Sequence, residues 1–527
     1  MNAPLLRAPP FPWADATVSM PTRADLRTSV ENRADLFARL REARVGGAFW
    51  AEPGSLPEGQ WVLRSTTADA GDGPAAVTIN GDVDPWSVLS DAAGLIGHGD
   101  DEWVALARIN RIPVRLLSSG RFGRIGDDDD ALDQRALSAV IAARWRDPFS
   151  GGDSDLAAVI DTLALWRRVL DANRPITAAT GMAWWKRPEI QRFLWHPGRR
   201  LHVMRRTGTA LARARRAGGA LAIWPSRVSP GLLAYAEARD VALVRVEDGF
   251  VRSVGLGVDL VPPSSIVVDP RGIHFDPSGP SALEDMLETA PVSPQLLARA
   301  ARLRHRIVAA GIGKYGADPA GTVPPRLPGK RLVLVPGQVG DDMSVRAGGA
   351  DLLAAGNPNA ELLRRVRALE PDAEIWFRPH PDVDAGLRNG AVSDDAALLL
   401  ADRIVRGGGM APLLDTVDAV HTLTSLTGFE ALLRGREVIC HGVPFFAGWG
   451  LTRDLAPVPA RRTRRLTLDQ LVAGVLILYP RYLDPVTGLP CPPELLVERM
   501  AGQQAGVRLG WVAPIRRWQG RLLASVR

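Results

Sequence analysis

The sequence predicts an α/β protein with parallel sheets, divided into several domains. Apolar runs that end in polar loops alternate with helical segments from about Thr177 onward, as in ALAIWPSR and VALVRVEDGF, and this alternation is typical of parallel sheets. A second series of such runs begins at RLVLVPG. The length of 527 residues exceeds one ordinary core and indicates two to four domains.

An internal repeat provides a third observation. Residues 91–123 resemble residues 418–450 in the order DA, AL-R, V and a final G-aromatic-G, and WRDPFSGG (145–152) resembles YLDPVTGLP (482–490). Two matches in the same order predict that the N-terminal part is a partial, diverged copy of a later lobe. The copy lacks the PHP and TS elements described below, so we expect it to be structural or regulatory.

These patterns predict five segments. Helical periodicity over 21–46, strand-like WVLRS and AAVTI, and an acidic run at 127–130 suited to a helix start all fall in the first copy. The expected segments are a flexible Pro-rich lead (1–20), a partial α/β lobe resembling the second lobe (21–170), a first lobe (171–330), a second lobe (331–495) and a basic helical tail (496–527).

The charge balance is basic, with 64 Lys and Arg against 58 Asp and Glu. No nucleic-acid-binding pattern accompanies this charge, so it suits anionic small substrates, an anionic membrane surface, or no ligand at all. The tail WVAPIRRWQGRLLASVR fits either a membrane surface or packing on the protein. The chain has two cysteines and no apolar signal segment, and its most apolar window (471–480) is too short to span a bilayer. These features predict a cytoplasmic protein.

Four polar loops follow four apolar runs. They are EDGFVRS (247–253), GQVGDDMS (337–344), RPHPD (378–382) and TSLTGFE (424–430). Ligands of open α/β sheets bind beyond the carboxyl ends of the strands, so these loops are the candidate site. GIGKYG (311–316) lacks the spacing of a phosphate-binding P-loop and is predicted to be a helix C-terminus with glycine caps.

The acidic pairs in these loops allow more than one interpretation. Asp341 and Asp342 could supply a nucleophile, a base or a metal ligand, or they could form an Asp-rich turn. Glu247 and Asp248 could supply an acid/base or cap the next segment. Carboxylates on opposite walls of a cleft are what glycosyl chemistry requires.

The other two loops carry phosphate-binding side chains. His380, which precedes Pro381 and follows Arg378, could neutralise a leaving phosphate or form structural hydrogen bonds. Thr424 and Ser425 open a helix, where hydroxyl and N–H groups form either an anion cradle or an ordinary cap.

Taken together, these loops resemble the capsule polysaccharide synthesis family of bacterial β-Kdo transferases, the KpsC/LpsZ type. The resemblance rests on EDGFVRSVGLGVDL, PGQVGDDMSV, RPHPDV, TSLTGFEALLRGREVICHGVPFFAGWG and YPRYLDPVTGLPCPPE, in family order over about residues 175–495. It implies a GT-B-like pair of Rossmann-type lobes with a partial N-terminal repeat of one lobe. The first lobe would then serve the acceptor and the second the CMP-sugar.

The resemblance also implies roles. Asp342, with Asp341 as the alternative, would be the nucleophile of a retaining reaction, and Glu247 or Asp248 the acid/base. Arg252 would clamp the sugar carboxylate. The implied CMP-sugar contacts are His380, Pro381, Ser425, Thr424, Thr427, Glu430, Arg378 and Gln338.

The implied function is transfer of Kdo from CMP-Kdo to a lipid-linked acceptor, without a metal or cofactor. The expected partners are CMP-Kdo, the lipid-linked glycan, the inner face of the cytoplasmic membrane, where the protein would be peripheral, and the proteins of capsule synthesis and export. Nucleic acid is not expected. The alternatives are a GT-B transferase for another nucleotide sugar and a non-catalytic partner in capsule assembly. Since the first copy is incomplete, a single linkage activity is expected.

Overall fold

The computed structural model describes residues 3–21, 32–65, 74–253, 261–314, 316–317 and 323–502. The chain divides into two compact units. Unit 1 comprises residues 1–175, 194–201 and 487–491, and unit 2 comprises the remainder. Part of the predicted first helix (22–31) and most of the predicted C-terminal tail (503–527) lie outside the described residues.

Unit 1 combines five helices with short strands, counted over its described residues. The strands are β1 (Ser19–Pro21), β2 (Glu52–Pro53), β3 (Trp61–Arg64), β4 (Ala76–Thr78), β5 (Val83–Asp84), β6 (Gly94–His98), β7 (Val114–Ser118) and β8 (Ala143–Trp145). The helices are α1 (Arg33–Ala43), α2 (Pro85–Leu89), α3 (Glu102–Ile109), α4 (Asp129–Ile141) and α5 (Leu156–Asn173). Asp128 caps α4 and accepts from the Ala131 N–H, which confirms the predicted helix start.

The N-terminal segment is packed, not flexible. Leu5, Leu6 and Phe11 are buried in the core of unit 1. The Phe11 ring lies 5.1 Å from that of Trp166 and 4.8 Å from that of Trp195, measured between centroids. The predicted flexible lead is therefore wrong over residues 3–20, because apolar side chains between its prolines are buried in the core of unit 1.

Unit 2 begins with a first lobe. Its strands are β9 (Ile176–Thr180), β10 (His202–Met204), β11 (Ala220–Ile223), β12 (Leu243–Asp248), β13 (Ser265–Asp269), β14 (Ile312–Gly313) and β15 (Gly316–Ala317). Its helices are α6 (Arg187–Phe193), α7 (Thr207–Arg216), α8 (Pro230–Glu237), α9 (Ala282–Thr289) and α10 (Pro294–Ala309), with 3-10 turns at Trp184–Lys186 and Pro225–Arg227. Gly311 (φ 60°) follows α10, as predicted for a glycine cap.

The second lobe follows. Its strands are β16 (Leu332–Pro336), β17 (Glu374–Arg378), β18 (Arg403–Ile404), β19 (Ala419–Thr422), β20 (Glu437–Cys440) and β21 (Arg453–Asp454). Its helices are α11 (Met343–Gly348), α12 (Ala350–Leu353), α13 (Pro358–Leu369), α14 (Pro381–Asp384), α15 (Asp394–Leu398), α16 (Met410–Thr416) and α17 (Leu426–Leu433). The chain then forms α18 (Leu468–Val472), a π-helical turn (Ala473–Leu478), β22 (Pro480–Leu483) and α19 (Pro493–Ala501).

The first-lobe sheet is only partly parallel. Strands β10, β9, β11 and β12 are neighbours in that order and run parallel. β13 is antiparallel to β12, and β22 is antiparallel to β13. The prediction of a parallel sheet is therefore wrong beyond β12, where β13 pairs antiparallel, and the described residues between the two strands (249–253 and 261–264) form no crossover helix.

The second-lobe sheet is fully parallel, in the order β18-β17-β16-β19-β20-β21. Unit 1 contains a four-stranded parallel sheet in the order β4-β3-β6-β7. This arrangement matches β17-β16-β19-β20 strand for strand. The segments that resemble each other in sequence, 91–123 and 418–450, supply β6-α3-β7 and β19-α17-β20 respectively.

Removing the Phe11 ring tests whether the N-terminal segment belongs to the core. Phe11→Ala is expected to lower the free energy of unfolding by about 3–5 kcal/mol, because it leaves a cavity among buried aromatic rings. Denaturant unfolding followed by tryptophan fluorescence measures the change. Pro10→Ala, at an exposed position of the same segment, should change stability by less than about 1 kcal/mol. Equal stability of Phe11→Ala and wild type would contradict the packed arrangement.

Candidate active site

Three of the candidate loops meet at one edge of the second lobe. β16 lies between β17 and β19 and is parallel to both. The residues after their carboxyl ends, 337–342, 379–380 and 423–425, therefore share that edge. Because the chain leaves β16 for one neighbour and returns to the other, the edge is also a topological switch point, where α/β proteins bind ligands.

Gln338 fixes the position of Thr424. Its amide nitrogen donates to Thr424 Oγ1 (3.0 Å), and its amide oxygen accepts from the Thr424 N–H (2.8 Å). Asn359 also exchanges two hydrogen bonds with the Gln338 backbone, at 2.9 and 2.8 Å. Gln338 is 7% exposed. It is therefore placed to position the β16 and β19 loops, and the predicted contact with a CMP-sugar does not fit its buried amide.

The two adjacent aspartates have different surroundings. Asp341 faces Arg388, whose nitrogen donates to its carboxylate at 3.2 Å. Asp342 accepts a hydrogen bond on Oδ2 from Ser344 Oγ (2.6 Å), and its other oxygen has no hydrogen-bond donor among the described residues. Although Asp342 precedes α11, its side chain does not cap that helix. Asp342 therefore presents an exposed carboxylate oxygen.

His380 lies near Asp342. Burial chiefly lowers the pKa of His380, Lys314 and Arg388 lower it further, and Asp382 and Asp342 oppose the shift. The imidazole Nδ1 accepts from the Asp382 N–H at 3.2 Å. A nitrogen that accepts carries no proton, so the neutral ring carries its proton on Nε2. That N–H can donate to an anion.

Other predicted nucleotide contacts have structural partners. Arg378 donates to the carbonyls of Gly407 and Gly408, both at 2.7 Å. Glu430 accepts from the Lys314 N–H at 3.0 Å. These contacts supply positioning roles that the sequence did not reveal.

The hydroxyl groups at the start of α17 form the ordinary cap. Ser425 Oγ accepts from the Thr427 N–H (3.2 Å) and donates to Thr427 Oγ1 (3.1 Å). Pro381 occupies the first position of α14, which His380 caps. The anion cradle at Thr424 and Ser425 stays a prediction.

The first-lobe carboxylates end β12, beside two buried cations. Lys186 Nζ contacts both oxygens of Asp248 at 2.9 Å and lies 3.7 Å from the centroid of the Trp224 ring. Arg252 Nε donates to Asp248 at 2.9 Å. One Glu247 oxygen accepts from the Asp248 N–H at 3.0 Å. Asp248 is therefore held by two cations that come from different segments of the chain.

Arg252 cannot present a guanidinium to a ligand in this arrangement. It is 1% exposed, and its two other nitrogens donate to Ser253 Oγ (2.7 Å) and to the Val261 carbonyl (2.9 Å). The predicted clamp on a sugar carboxylate does not fit this burial. Arg252 instead holds Asp248 in place.

The neighbouring carboxyl groups have opposite pKa shifts. Burial and the charge of Asp248 raise the pKa of Glu247 to about 7. Burial would also raise the pKa of Asp248, but Lys186, Arg252 and Lys314 outweigh it and lower that pKa to about 2. Near neutral pH, Asp248 is ionised and Glu247 exchanges its proton. Of the two, Glu247 has the titration that a general acid or base needs.

Lys314 connects the two lobes. Its carbonyl accepts from the Arg252 N–H at 2.9 Å, and its own N–H donates to Glu430 at 3.0 Å. Its charge lowers the pKa of Glu247, Asp248 and His380. One ammonium group therefore influences the pKa values of carboxylates in the first lobe and of the imidazole in the second.

Sequence reasoning gave no role to Lys186 or Lys314. Both are conspicuous as two of three lysines in an arginine-rich chain, and that scarcity was the available signal. Among the described residues, no group of three or more His, Cys, Asp or Glu side chains could hold a metal ion. No helix in the described ranges is long and apolar enough to cross a membrane.

Comparisons with known proteins agree with this arrangement. The family model described as "Capsule polysaccharide biosynthesis protein" matches residues 219–311 and 323–482. A solved β-Kdo 2,4 transferase of KpsC from Thermosulfurimonas dismutans is 31% identical, with a TM-score of 0.54 over 62% of this chain and 98% of that one. The chain belongs to the capsule polysaccharide biosynthesis family.

Two curated relatives of this capsule family protein extend the comparison. LipA, a capsule polysaccharide modification protein of Neisseria meningitidis serogroup A, is 42% identical over 345 residues, which cover 66% of this chain and 48% of LipA. LpsZ, a lipopolysaccharide-processing protein of Rhizobium meliloti, is 42% identical over 278 residues, covering 52% of this chain and 62% of LpsZ. The chain thus spans about half the length of LipA. The glycosyltransferase-like α/β fold is shared with KpsC.

A double-mutant cycle tests the contact between Lys186 and Asp248. Lys186→Met leaves Asp248 with one cation fewer, whereas Asp248→Asn removes the charge that Lys186 balances. The interaction energy should lie toward the upper end of the range of about 0.5–3 kcal/mol for residues in contact. Thermal unfolding measures it. A cycle of Lys186→Met with Asp240→Asn, an exposed position, should be additive, and additivity in the first cycle would contradict the pairing.

Proposed function

We propose that this capsule family protein transfers Kdo from CMP-Kdo to a lipid-linked acceptor with retention of configuration. The observation that carries the proposal is the position of Lys314, whose carbonyl accepts from the Arg252 N–H beside Asp248 and whose N–H donates to Glu430 of the second lobe. It supports one site to which each lobe contributes polar groups. The similarity to the β-Kdo 2,4 transferase of KpsC supports Kdo as the sugar.

In the first step, an oxygen of Asp342 attacks the anomeric carbon of Kdo. The bond from that carbon to the phosphate oxygen breaks, and CMP leaves with the electron pair. The proton on His380 Nε2 can donate a hydrogen bond to the departing phosphate. Asp342 has an exposed oxygen to which no described residue donates, and this supports the role over Asp341, which faces Arg388.

In the second step, an acceptor hydroxyl attacks the same carbon from the opposite face. Glu247 takes the hydroxyl proton, and the bond between the sugar and Asp342 breaks to restore the carboxylate. Two inversions give net retention. Asp248, held ionised by Lys186 and Arg252, would keep the pKa of Glu247 high enough for it to accept a proton near neutral pH.

Unit 1 would not carry a second reaction. We infer that it is a partial copy of the second lobe, from the shared strand order and the sequence resemblance. In unit 1, Ser65 follows β3 and Gly99 and Asp100 follow β6, where the second lobe has the acidic and TS loops. We therefore expect each chain to carry one transferase activity. A peripheral position at the inner membrane face, next to capsule synthesis and export proteins, suits a lipid-linked acceptor.

Intact-protein mass spectrometry after incubation with CMP-Kdo tests the nucleophile. The wild-type protein should gain the mass of one Kdo residue on the peptide containing Asp342. Asp342→Asn should abolish both the adduct and transfer, because an amide oxygen is a poor nucleophile. Asp341→Asn is the matched control and should retain the adduct. Adduct formation by Asp342→Asn but not by Asp341→Asn would reverse the assignment.

The pH dependence of transfer tests Glu247 as the base. The base must be ionised, so kcat/KM for the acceptor should fall as the pH drops through about 7, the raised pKa of Glu247. In Glu247→Gln this ascending limb should disappear and the residual rate should be at least about 100-fold lower. Asp248 is ionised over the same pH range and therefore does not contribute to this ascending limb of the pH profile. An unchanged limb in Glu247→Gln would exclude Glu247 as the base.

A further inference from the structure

The basic charge of this chain is unevenly distributed. Residues 202–227 contain six arginines and no Asp or Glu. Their charge of +6 equals the net charge of the whole 527-residue chain, so the rest of the sequence is balanced. This segment therefore concentrates positive charge in the first lobe.

Three of these arginines lie at the edge that carries the candidate acid/base. β10, β9, β11 and β12 are parallel, and the register places Met204 beside Thr180 and Ile223 beside both Thr180 and Arg245. Arg205 and Arg206 directly follow β10. Arg227 follows β11 by four residues. All three are exposed.

No described residue pairs with these three side chains. The ion pairs and side-chain hydrogen bonds of the described ranges include none of Arg205, Arg206 and Arg227, whereas many other arginines of the chain pair with acids. With strands about 4.8 Å apart, β10 lies roughly 14 Å from β12. Unneutralised charge therefore extends across the sheet edge toward Glu247.

Helix stability does not explain Arg206. Arg206 occupies the N-cap of α7, where Ser, Thr, Asp or Asn are preferred, and makes no side-chain capping bond. A cation there also faces the positive end of the helix dipole. Arg215 and Arg216, in the last turn of the same helix, have the favourable position. Helix stability thus accounts for Arg215 and Arg216 at the C-terminal end of α7, but not for Arg206 at its N-terminal end.

We propose that the carboxyl edge of the first lobe, formed by Arg205, Arg206 and Arg227, docks on an anionic phospholipid bilayer. Trp184, 49% exposed, follows β9 at the same edge and suits the membrane interface. Docking in this orientation brings the acceptor side of the site, with Glu247, toward the bilayer that holds a lipid-linked acceptor. The orientation relative to the acceptor rests on the proposed function, whereas the vesicle-binding test does not depend on it.

Vesicle cosedimentation of the full chain tests the docking surface. The protein should bind phosphatidylcholine vesicles that contain phosphatidylglycerol, but not phosphatidylcholine alone, and binding should weaken with salt. Each arginine near an anionic surface contributes roughly fivefold, so Arg205→Ser/Arg206→Ser should bind about 30-fold more weakly. Arg215→Ser/Arg216→Ser, with the same charge change on the same helix, should bind like the wild type.

Other outcomes overturn the proposal. Equal losses in the two double variants would indicate a response to net charge alone, and wild-type binding by Arg205→Ser/Arg206→Ser would place the membrane contact elsewhere. A loss of binding to duplex RNA, with vesicle binding retained, would assign the surface to nucleic acid. Formation of the Kdo adduct without vesicles tests the proposed function separately, and Arg205→Ser/Arg206→Ser should leave it unchanged.

Discussion

Two neighbouring carboxyl groups at the end of β12 cannot both be ionised at low cost, and the surrounding site reflects that repulsion. Lys186 and Arg252 both contact Asp248, so the negative charge of the pair resides on Asp248. Glu247 is left with the proton because burial and its charged neighbour raise its pKa to about 7. Side chains from three separate segments thus divide one acidic pair into a fixed anion and a group that titrates near neutrality.

The same separation of tasks recurs in the second lobe. Gln338 uses its whole amide to hold Thr424, and Arg378 holds the loop at Gly407 and Gly408. Asp342 and His380 then face the edge from loops that neighbouring strands keep in register. Buried polar side chains that position a few exposed ones are the usual basis of a preorganised site.

Sequence reasoning predicted the candidate site but not its internal contacts. The alternation of apolar runs and polar loops identified all four loops, because the position of a strand end is a local property. The local sequence could not show whether Arg252, Gln338 and Glu430 bind a ligand or position other residues. The two roles differ only in the partners of the side chain, which can be distant along the chain. Lys186, for example, lies 62 residues from Asp248 along the chain. The apolar contacts of residues 3–21 likewise became evident only in the folded structure.

The hairpin of β14 and β15 has a mechanical consequence. The peptide groups on the two sides of Lys314 are bound by different lobes, the carbonyl by Arg252 and the N–H by Glu430. A shear of one lobe past the other would break one of these hydrogen bonds, whereas a rotation about the hairpin preserves both. The hairpin is therefore placed as a pivot, and a rotation of the lobes about it would keep the Lys314 ammonium close to the axis of motion.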